Sequence, residues 1–227
     1  MTSIEIIDDT QHRELCIDFQ MARRAFRQEV VPVVISEFHS LMFHYPIVLV
    51  KDGDTGEFTC AVLLGINSEA NLLDEKDVAN DEILPLNIRR LPLVAVAPPD
   101  GESRPLIAIN MASPGVGQGE YIFKSKSHSF EAAIFSLGEL YGGYKETRDY
   151  VNKIVELDLV STLHAQIRHA DKPAQILEGL YAIDLNKIAQ LVECHEANKN
   201  SFLEIARYAY AQHFSLSNMA RLAPLVS

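Results

Sequence analysis

The chain has 227 residues and a formal net charge of −11 at pH 7. A chain of this length can bury a sizeable core without disulfides or metal ions, so we expect a globular protein. The acidic balance argues against a nucleic-acid partner and against docking on an anionic membrane, because both require a basic surface.

The spacing of the cysteines and the length of the apolar runs indicate the cellular compartment of the protein. Cys16, Cys60 and Cys194 are widely spaced and form no CxxC or Cys/His pattern, so the sequence predicts neither a zinc site nor a disulfide. Free thiols are typical of a reducing compartment. The N-terminus lacks the pattern of a secretory signal, and no apolar run reaches the roughly 18 residues of a membrane span. We therefore expect a cytoplasmic protein without a transmembrane segment.

The first predicted elements are a short strand over Ile4–Ile7 and a helix over Glu29–Phe43. Pro32 is tolerated in the first turn of a helix, and the apolar residues after it share one helical face. The helix should stop at Tyr45-Pro46, because the residue before a proline avoids the α conformation.

Two strand pairs follow. Residues 47–50 and 58–66 are rich in β-formers and flank a run of turn residues, which predicts a hairpin. Residues 60–64 are apolar throughout, as expected of a central strand covered on both faces. Residues 93–96 and 106–110 predict a second pair.

The second half of the chain is predicted to be richer in helices. Helices are expected over Phe130–Tyr141 and Glu146–Asp158, separated at Gly142-Gly143, and a strand over Ile176–Ile183. Asp184 is a candidate cap for a further helix. The fold class is α+β, with a mixed or antiparallel sheet in the N-terminal half and a helix-rich C-terminal half. We expect a single domain over residues 1–227, with a subdivision near 112–127 and a hinge in the loop 112–118.

The glycine-rich segment Gly115-Val116-Gly117-Gln118-Gly119 suggests a phosphate-binding loop. A dinucleotide fingerprint, however, requires GxGxxG at the start of a helix, and the β-like residues 121–123 follow here. The pattern therefore favours a flexible loop over a nucleotide site.

The sequence shows no other recognisable catalytic or metal-binding pattern. No HExxH, HxxxH or G-x-S-x-G spacing is present, so we expect neither a metal nor another cofactor. Cys194 and His195 are consecutive, and their side chains would diverge on a regular element, which argues against a nucleophile pair.

Clustered arginines and tyrosines are the remaining candidates for binding. Arg23, Arg24 and Arg27 can bind an anion, or they can pair internally with the acidic stretch 69–82, which we favour in an acidic chain. Five tyrosines are candidates for a pocket or a partner surface, although most should simply pack: Tyr141, Tyr144, Tyr150, Tyr208 and Tyr210.

The adjacent Arg89 and Arg90 precede Leu91-Pro92, which favours an extended chain. In extended backbone the two side chains would point to opposite sides. One arginine would then face an internal carboxylate such as Glu37 or Asp74, and the other would face solvent or a ligand.

Several of these segments, taken in order, resemble the SapC family along nearly the whole chain. The firmest matches are Glu37-Phe38, Tyr45-Pro46-Ile47, Gly65 with Asn71-Leu72, and the segment Leu177–Asp184. Arg89-Arg90 and His12-Arg13-Glu14-Leu15 match as well. The resemblance implies a link to surface-layer protein export or assembly, and a genomic setting beside flavin-dependent tryptophan halogenases. It supplies no catalytic residue.

Two hypotheses follow from the resemblance. The first is a cytoplasmic accessory protein that binds a peptide or a partner protein, which we favour over an enzyme because the recurrent residues specify a fold. The alternative is a small-molecule-binding protein or enzyme that acts alongside the halogenases. The candidate binding residues are Glu37, Tyr45, Asn71, Arg89 and Arg90. An exposed apolar patch would favour the first hypothesis, and a deep polar pocket the second. The oligomeric state stays open.

Overall fold

The fold is described from a computed structural model. The described residues are 3–66, 71–74, 80–97, 105–124, 127–168, 174–194 and 199–225. The chain forms two compact units: unit 1 comprises Met1–Phe26 and Asp77–Tyr141, and unit 2 comprises Arg27–Lys76 and Gly142–Ser227. The loop 112–118 and the segment 112–127, where a hinge and a subdivision are expected from the sequence, belong to unit 1.

The elements are numbered in chain order. The strands are β1 Ile4–Ile6, β2 Cys16–Ile17, β3 Val30–Pro32, β4 Ile47–Lys51, β5 Phe58–Leu63, β6 Leu93–Val96, β7 Leu106–Asn110, β8 Glu120–Tyr121, β9 Val160–Thr162, β10 Ala165–Ile167, β11 Gln175–Leu177 and β12 Leu180–Ile183. The α-helices are α1 Phe19–Arg24, α2 Phe38–Leu41, α3 Leu86–Arg89, α4 His128–Glu156, α5 Leu185–Cys194 and α6 Lys199–Ser215. Short 3₁₀ helices cover Ile35–Glu37, Asp81–Ile83 and Leu216–Leu225.

Unit 1 contains a three-stranded sheet in the order β1-β7-β6 and a two-stranded ribbon of β2 and β8, all antiparallel. The predicted pairing of residues 93–96 with 106–110 is confirmed. Its core joins these strands to the first turns of α4 and consists of Ile17, Phe19, Leu93, Ile109, Ile122, Phe130, Ala133 and Leu137.

Unit 2 contains a five-stranded antiparallel sheet in the order β3-β5-β4-β12-β9 and a ribbon of β10 and β11. The predicted hairpin is confirmed as β4 and β5, with Ile47 opposite Val62 and Lys51 opposite Phe58. Strand β5 has a neighbour on each side, and its apolar residues 60–63 are buried. The sequence identifies this inner strand because both of its faces must be apolar.

The helix predicted over Glu29–Phe43 is wrong. Val30–Pro32 forms β3, which pairs with β5, and only the 3₁₀ turn Ile35–Glu37 and α2 are helical. Two β-branched valines favour a strand. Proline fits there because β3 is an edge strand, where an N–H need not be donated to a neighbour. The prediction that the helix stops by Tyr45-Pro46 is confirmed, since α2 ends at Leu41 and β4 starts after Pro46.

The predicted break at Gly142-Gly143 is also wrong, because α4 is one continuous helix from His128 to Glu156. A Cβ atom on Gly143 would lie 2.9 Å from Cβ and Cγ2 of the buried Val34. The glycine therefore permits a close approach between α4 and residue 34, and it does not end the helix. Gly142 has no neighbouring atom within 4 Å of such a Cβ position.

The strand predicted over Ile176–Ile183 is two strands, β11 and β12, separated by Gly179 at a φ of 73°. The cap predicted at Asp184 is confirmed, because its Oδ1 accepts hydrogen bonds from the N–H groups of Asn186 (2.9 Å) and Lys187 (3.2 Å) at the start of α5. The α+β class is confirmed, with antiparallel sheets and with α4 to α6 in the C-terminal half. None of the described helices is both long enough and apolar enough to cross a membrane.

Candidate functional site

The five candidate residues divide between the units, with Glu37, Tyr45 and Asn71 in unit 2 and Arg89 and Arg90 in unit 1. The first three are buried and the two arginines are half-buried. The side chains of Glu37, Asn71, Arg89 and Arg90 each form a hydrogen bond with the local backbone. Their role in binding stays a prediction.

Glu37 and Asn71 stabilise turns. The Glu37 Oε2 atom accepts a hydrogen bond of 2.9 Å from the Val34 N–H, which caps the 3₁₀ turn. The Asn71 Oδ1 atom accepts from the Leu73 N–H at 2.9 Å, and the Asn71 N–H donates to Asp74 Oδ2 at 3.0 Å. These contacts give both residues a structural reason to be present.

The sequence predicts an extended chain at Arg89 and Arg90, with the two side chains on opposite sides. This prediction is wrong, because Arg89 ends α3 and Arg90 is its C-cap, so neither residue is extended. Arg89 Nε donates to the Leu84 carbonyl at 3.1 Å. Arg90 donates to Asn87 Oδ1 at 2.9 Å and to the Leu93 carbonyl at 2.6 Å. The two arginines therefore support the backbone on either side of Pro92.

The first arginine cluster agrees in part with the expected internal pairing. Arg27 Nη1 lies 3.5 Å from Asp74 Oδ1, within the acidic stretch 69–82, and the predicted pairing is confirmed for this residue. The buried Arg23 donates instead to the Arg89 carbonyl at 2.9 Å. Because Arg27 and Asp74 are both exposed, their ion pair adds little stability.

The turn between α2 and β4 places Tyr45 inside unit 2 and Phe43 outside. Tyr45 is fully buried, and burial raises the pKa of its hydroxyl, against a smaller opposite effect of the nearby Arg221 charge. The side-chain amide of Asn218 donates to the carbonyls of Met42 (2.8 Å) and Ser215 (3.1 Å). The bond to Met42 holds the turn against the C-terminal 3₁₀ helix.

An exposed apolar surface lies beside this turn. Its members are Phe43, Leu203, Tyr210 and Phe214, with exposed fractions of 54%, 51%, 63% and 56%. The rings of Phe43 and Phe214 meet edge to face, with 5.6 Å between their centroids. We call this group the aromatic surface.

Helix α6 supplies most of the aromatic surface. Leu203, Arg207, Tyr210 and Phe214 follow a spacing of four, three and four residues, so they share one face of the helix. The opposite face is buried and includes Phe202, Ile205 and Ala209. Helix α6 thus has apolar residues on two sides, and the described residues of unit 2 cover only one of them.

Two arginines border the aromatic surface. Arg207 Nε lies 3.1 Å from His39 Nε2, and its guanidinium carbon lies 5.4 Å from the centre of the Tyr208 ring. Partial burial and then the Arg207 charge lower the pKa of His39, which keeps Nε2 available as an acceptor. Arg221 Nη1 donates to the His44 carbonyl at 3.3 Å, next to Phe43.

Sequence patterns identify this surface only in part. Tyr210 is among the five candidate tyrosines, whereas Tyr150 is buried and packs against Tyr208 at 5.3 Å between ring centroids. Phe43 and Phe214 are not singled out, because an aromatic residue at a helix end usually packs in the core. The sequence signal that could identify the surface is the second apolar stripe of α6, at Leu203, Tyr210 and Phe214.

An open groove of about 520 Å³ lies elsewhere in unit 2, between the ends of β9 and β12 and the β10–β11 ribbon. It is lined by Thr162, Leu163, His164, Ala165, Gln166, Ile176, Leu177, Glu178 and Gly179. None of the five candidate residues lines it. The groove therefore does not collect the polar groups that a small-molecule site at these residues would require.

The glycine-rich loop has a structural role. Gly115 and Gly119 have φ values of 89° and 86°, which few other residues adopt. A Cβ atom would lie 2.3 Å from the Asp18 carbonyl oxygen at Gly115 and 2.5 Å from that of Ile17 at Gly119. The loop is thus packed against residues 17–18.

The thiols and the acidic groups form no reactive cluster in the part of the chain that the structure describes. Cys16 and Cys60 are free thiols, and burial raises the pKa of Cys60 to about 12, which keeps it protonated and unreactive at neutral pH. The side chain of Cys194 and residue His195 lie outside the described residues. Within the described residues, no three His, Cys, Asp or Glu side chains are placed to share a metal ion.

In a comparison with protein families, the chain matches the model named SapC over residues 7–222. The chain belongs to the SapC family. Comparisons with curated proteins and with solved structures found no match. The resemblance in the sequence is thereby confirmed, and SapC membership covers residues from both units.

Proposed function

We propose that this SapC protein is a cytoplasmic accessory protein that binds a partner polypeptide, in support of surface-layer protein export or assembly. The observation that carries the proposal is the aromatic surface of unit 2, where four large apolar side chains are each more than half exposed. The link to the surface layer comes from the family resemblance alone.

The composition of the surface favours a polypeptide partner. Phenylalanine, tyrosine and arginine are enriched in protein interfaces, and a few of them usually supply most of the binding energy. The rings of Phe43 and Phe214 already contact each other, so a partner that binds there would bury both rings together. Exposed apolar groups that lie together, and not singly, are typical of interaction sites.

The surface is also held in a fixed geometry before binding. The buried Ser215 Oγ accepts a hydrogen bond of 2.8 Å from the Ile47 N–H and ties the end of α6 to β4. Tyr208 packs edge to face on Phe38, with 6.0 Å between ring centroids, and ties α6 to α2. A surface on an anchored backbone loses less conformational entropy on binding than one on a mobile segment.

The alternative, a small-molecule-binding protein or enzyme that acts beside tryptophan halogenases, has less support. It requires Glu37, Tyr45, Arg89 and Arg90 to present polar groups to a pocket. The Glu37 carboxylate instead accepts a backbone hydrogen bond, and Tyr45 is fully buried. The groove of about 520 Å³ is lined by other residues.

Affinity capture from native lysate tests the proposal, with mass spectrometry of both proteins and small molecules. The wild type is compared with the double variant Phe43→Ser/Phe214→Ser and with the control Phe135→Ser, which alters an exposed aromatic residue of unit 1. We expect at least one protein to be retained by the wild type and by Phe135→Ser and to be lost from the double variant. All three should have similar melting temperatures, because the altered rings are more than half exposed.

Two results would contradict the proposal. One is a set of captured proteins that is the same for the wild type and the double variant. The other is retention of a small molecule, without any protein, that is unaffected by the double variant and lost from an Arg89→Gln variant.

A further inference from the structure

The aromatic surface lies in a locally basic part of an acidic protein. The whole chain has 31 acidic and 20 basic residues, Lys and Arg together. The segments 38–46 and 203–225, which form the surface and its border, contain Arg207 and Arg221 and a single acidic residue, Glu204. The local charge is therefore opposite in sign to that of the chain.

The two arginines are not neutralised by carboxylates in the described part of unit 2. Arg207 and Arg221 are exposed, and no described carboxylate oxygen lies within 4.0 Å of either guanidinium group. Their observed contacts are to His39 and to the His44 carbonyl. Arg27 and Asp74, by contrast, pair within this unit.

The spacing of the stripe on α6 indicates the shape of the partner. Positions 203, 207, 210 and 214 repeat every four and three residues, which is the spacing of a seam that packs against another helix. A charged residue at one seam position selects partners, because it must be matched across the interface. Here that position is Arg207.

We propose that the partner segment is an acidic amphipathic helix, whose apolar side packs on the aromatic surface and whose carboxylates face Arg207 and Arg221. This inference rests on the proposed function and adds the chemistry of the partner to it. A second copy of the chain is disfavoured, because symmetric pairing of the two surfaces would bring Arg207 of one copy near arginines of the other.

Binding of three synthetic helical peptides, followed by fluorescence anisotropy, tests the inference. The peptides share one leucine seam and differ only in their flanking residues, which are glutamate, glutamine or lysine. We expect the glutamate peptide to bind about fivefold to tenfold more tightly than the glutamine peptide, and the lysine peptide to bind most weakly. Added salt should weaken the glutamate peptide most.

Two sets of variants assign the effect to residues. Arg207→Glu/Arg221→Glu should reverse the order of the glutamate and lysine peptides, whereas Phe43→Ser/Phe214→Ser should abolish binding of all three. The control Phe135→Ser should bind like the wild type. Reversal of the order by the charge variant cannot arise from partial unfolding.

Several results would overturn the inference. Equal binding of the three peptides, tightest binding of the lysine peptide, or no binding of any peptide would each exclude an acidic helix as the partner. The proposed function would survive these results if lysate capture still depended on Phe43 and Phe214. A dimer in analytical ultracentrifugation that is lost in Phe43→Ser/Phe214→Ser would instead assign the surface to a second copy.

Discussion

Replacing Gly143 by alanine should destabilise the protein although the residue lies inside a helix. Alanine is favoured over glycine in helices by about 1 kcal/mol. The new Cβ, however, would lie 2.9 Å from Cβ and Cγ2 of Val34, which is fully buried and stiff about χ1. Val34 also has little freedom to move, because its N–H is bound by Glu37 and the next N–H by Thr147 Oγ1 at 3.0 Å.

The balance of these effects gives the magnitude. Overpacking of a core costs about 1–3 kcal/mol, so the net change in the free energy of unfolding at Gly143 should be a loss of about 1 kcal/mol. Gly142→Ala is the matched control, since its Cβ would meet no atom within 4 Å, and it should gain up to about 1 kcal/mol. Urea unfolding of both variants measures the difference, which should be about 2 kcal/mol.

A third variant separates the clash from other causes. In a Val34→Ala background the two methyl groups that crowd residue 143 are gone and the Cβ of residue 34 remains, so Gly143→Ala should cost less stability there than in the wild type. Equal stabilisation by Gly142→Ala and Gly143→Ala in the wild-type background would refute the packing explanation of the Gly-Gly pair.

Two further predictions concern the border of the aromatic surface. Because the pKa of His39 is lowered in the folded state, the unfolded chain binds a proton first as the pH falls below 6.5, and the free energy of unfolding decreases. His39→Gln should therefore lose less stability than the wild type between pH 7 and pH 5 in urea titrations, and an identical pH dependence would exclude this role. Asn218→Ala should cost about 1–3 kcal/mol in thermal unfolding, because the carbonyls of Met42 and Ser215 lose their donor; an unchanged melting temperature would show that the clamp is dispensable.

The elements that the sequence predicts correctly are those whose reasons are local. The β4–β5 hairpin has turn residues between two β-rich runs, and Asp52 in that turn accepts backbone hydrogen bonds from Asp54 (3.0 Å) and Thr55 (2.7 Å). Asp184 caps α5 through its own neighbours. In both places the residue and its partners lie within a few positions of each other in sequence.

Two of the incorrect predictions concern residues whose reasons are distant in sequence. Val30–Pro32 becomes a strand because β5 offers an edge, and Gly143 stays helical because Val34 packs against it. The aromatic surface is of the same kind. Nothing near Phe43 in sequence indicates that it contacts Phe214, or that the described residues of unit 2 leave that side of α6 exposed.

Site-specific photocrosslinking can capture a polypeptide bound at the aromatic surface. A photoreactive phenylalanine is placed at Phe214 in the aromatic surface, or at Phe135 in unit 1 as a control with similar exposure. In cells that express the protein, irradiation should yield an adduct with a second polypeptide from position 214 and none from position 135. The same adduct from both positions, or none from position 214, would contradict a partner bound at the aromatic surface.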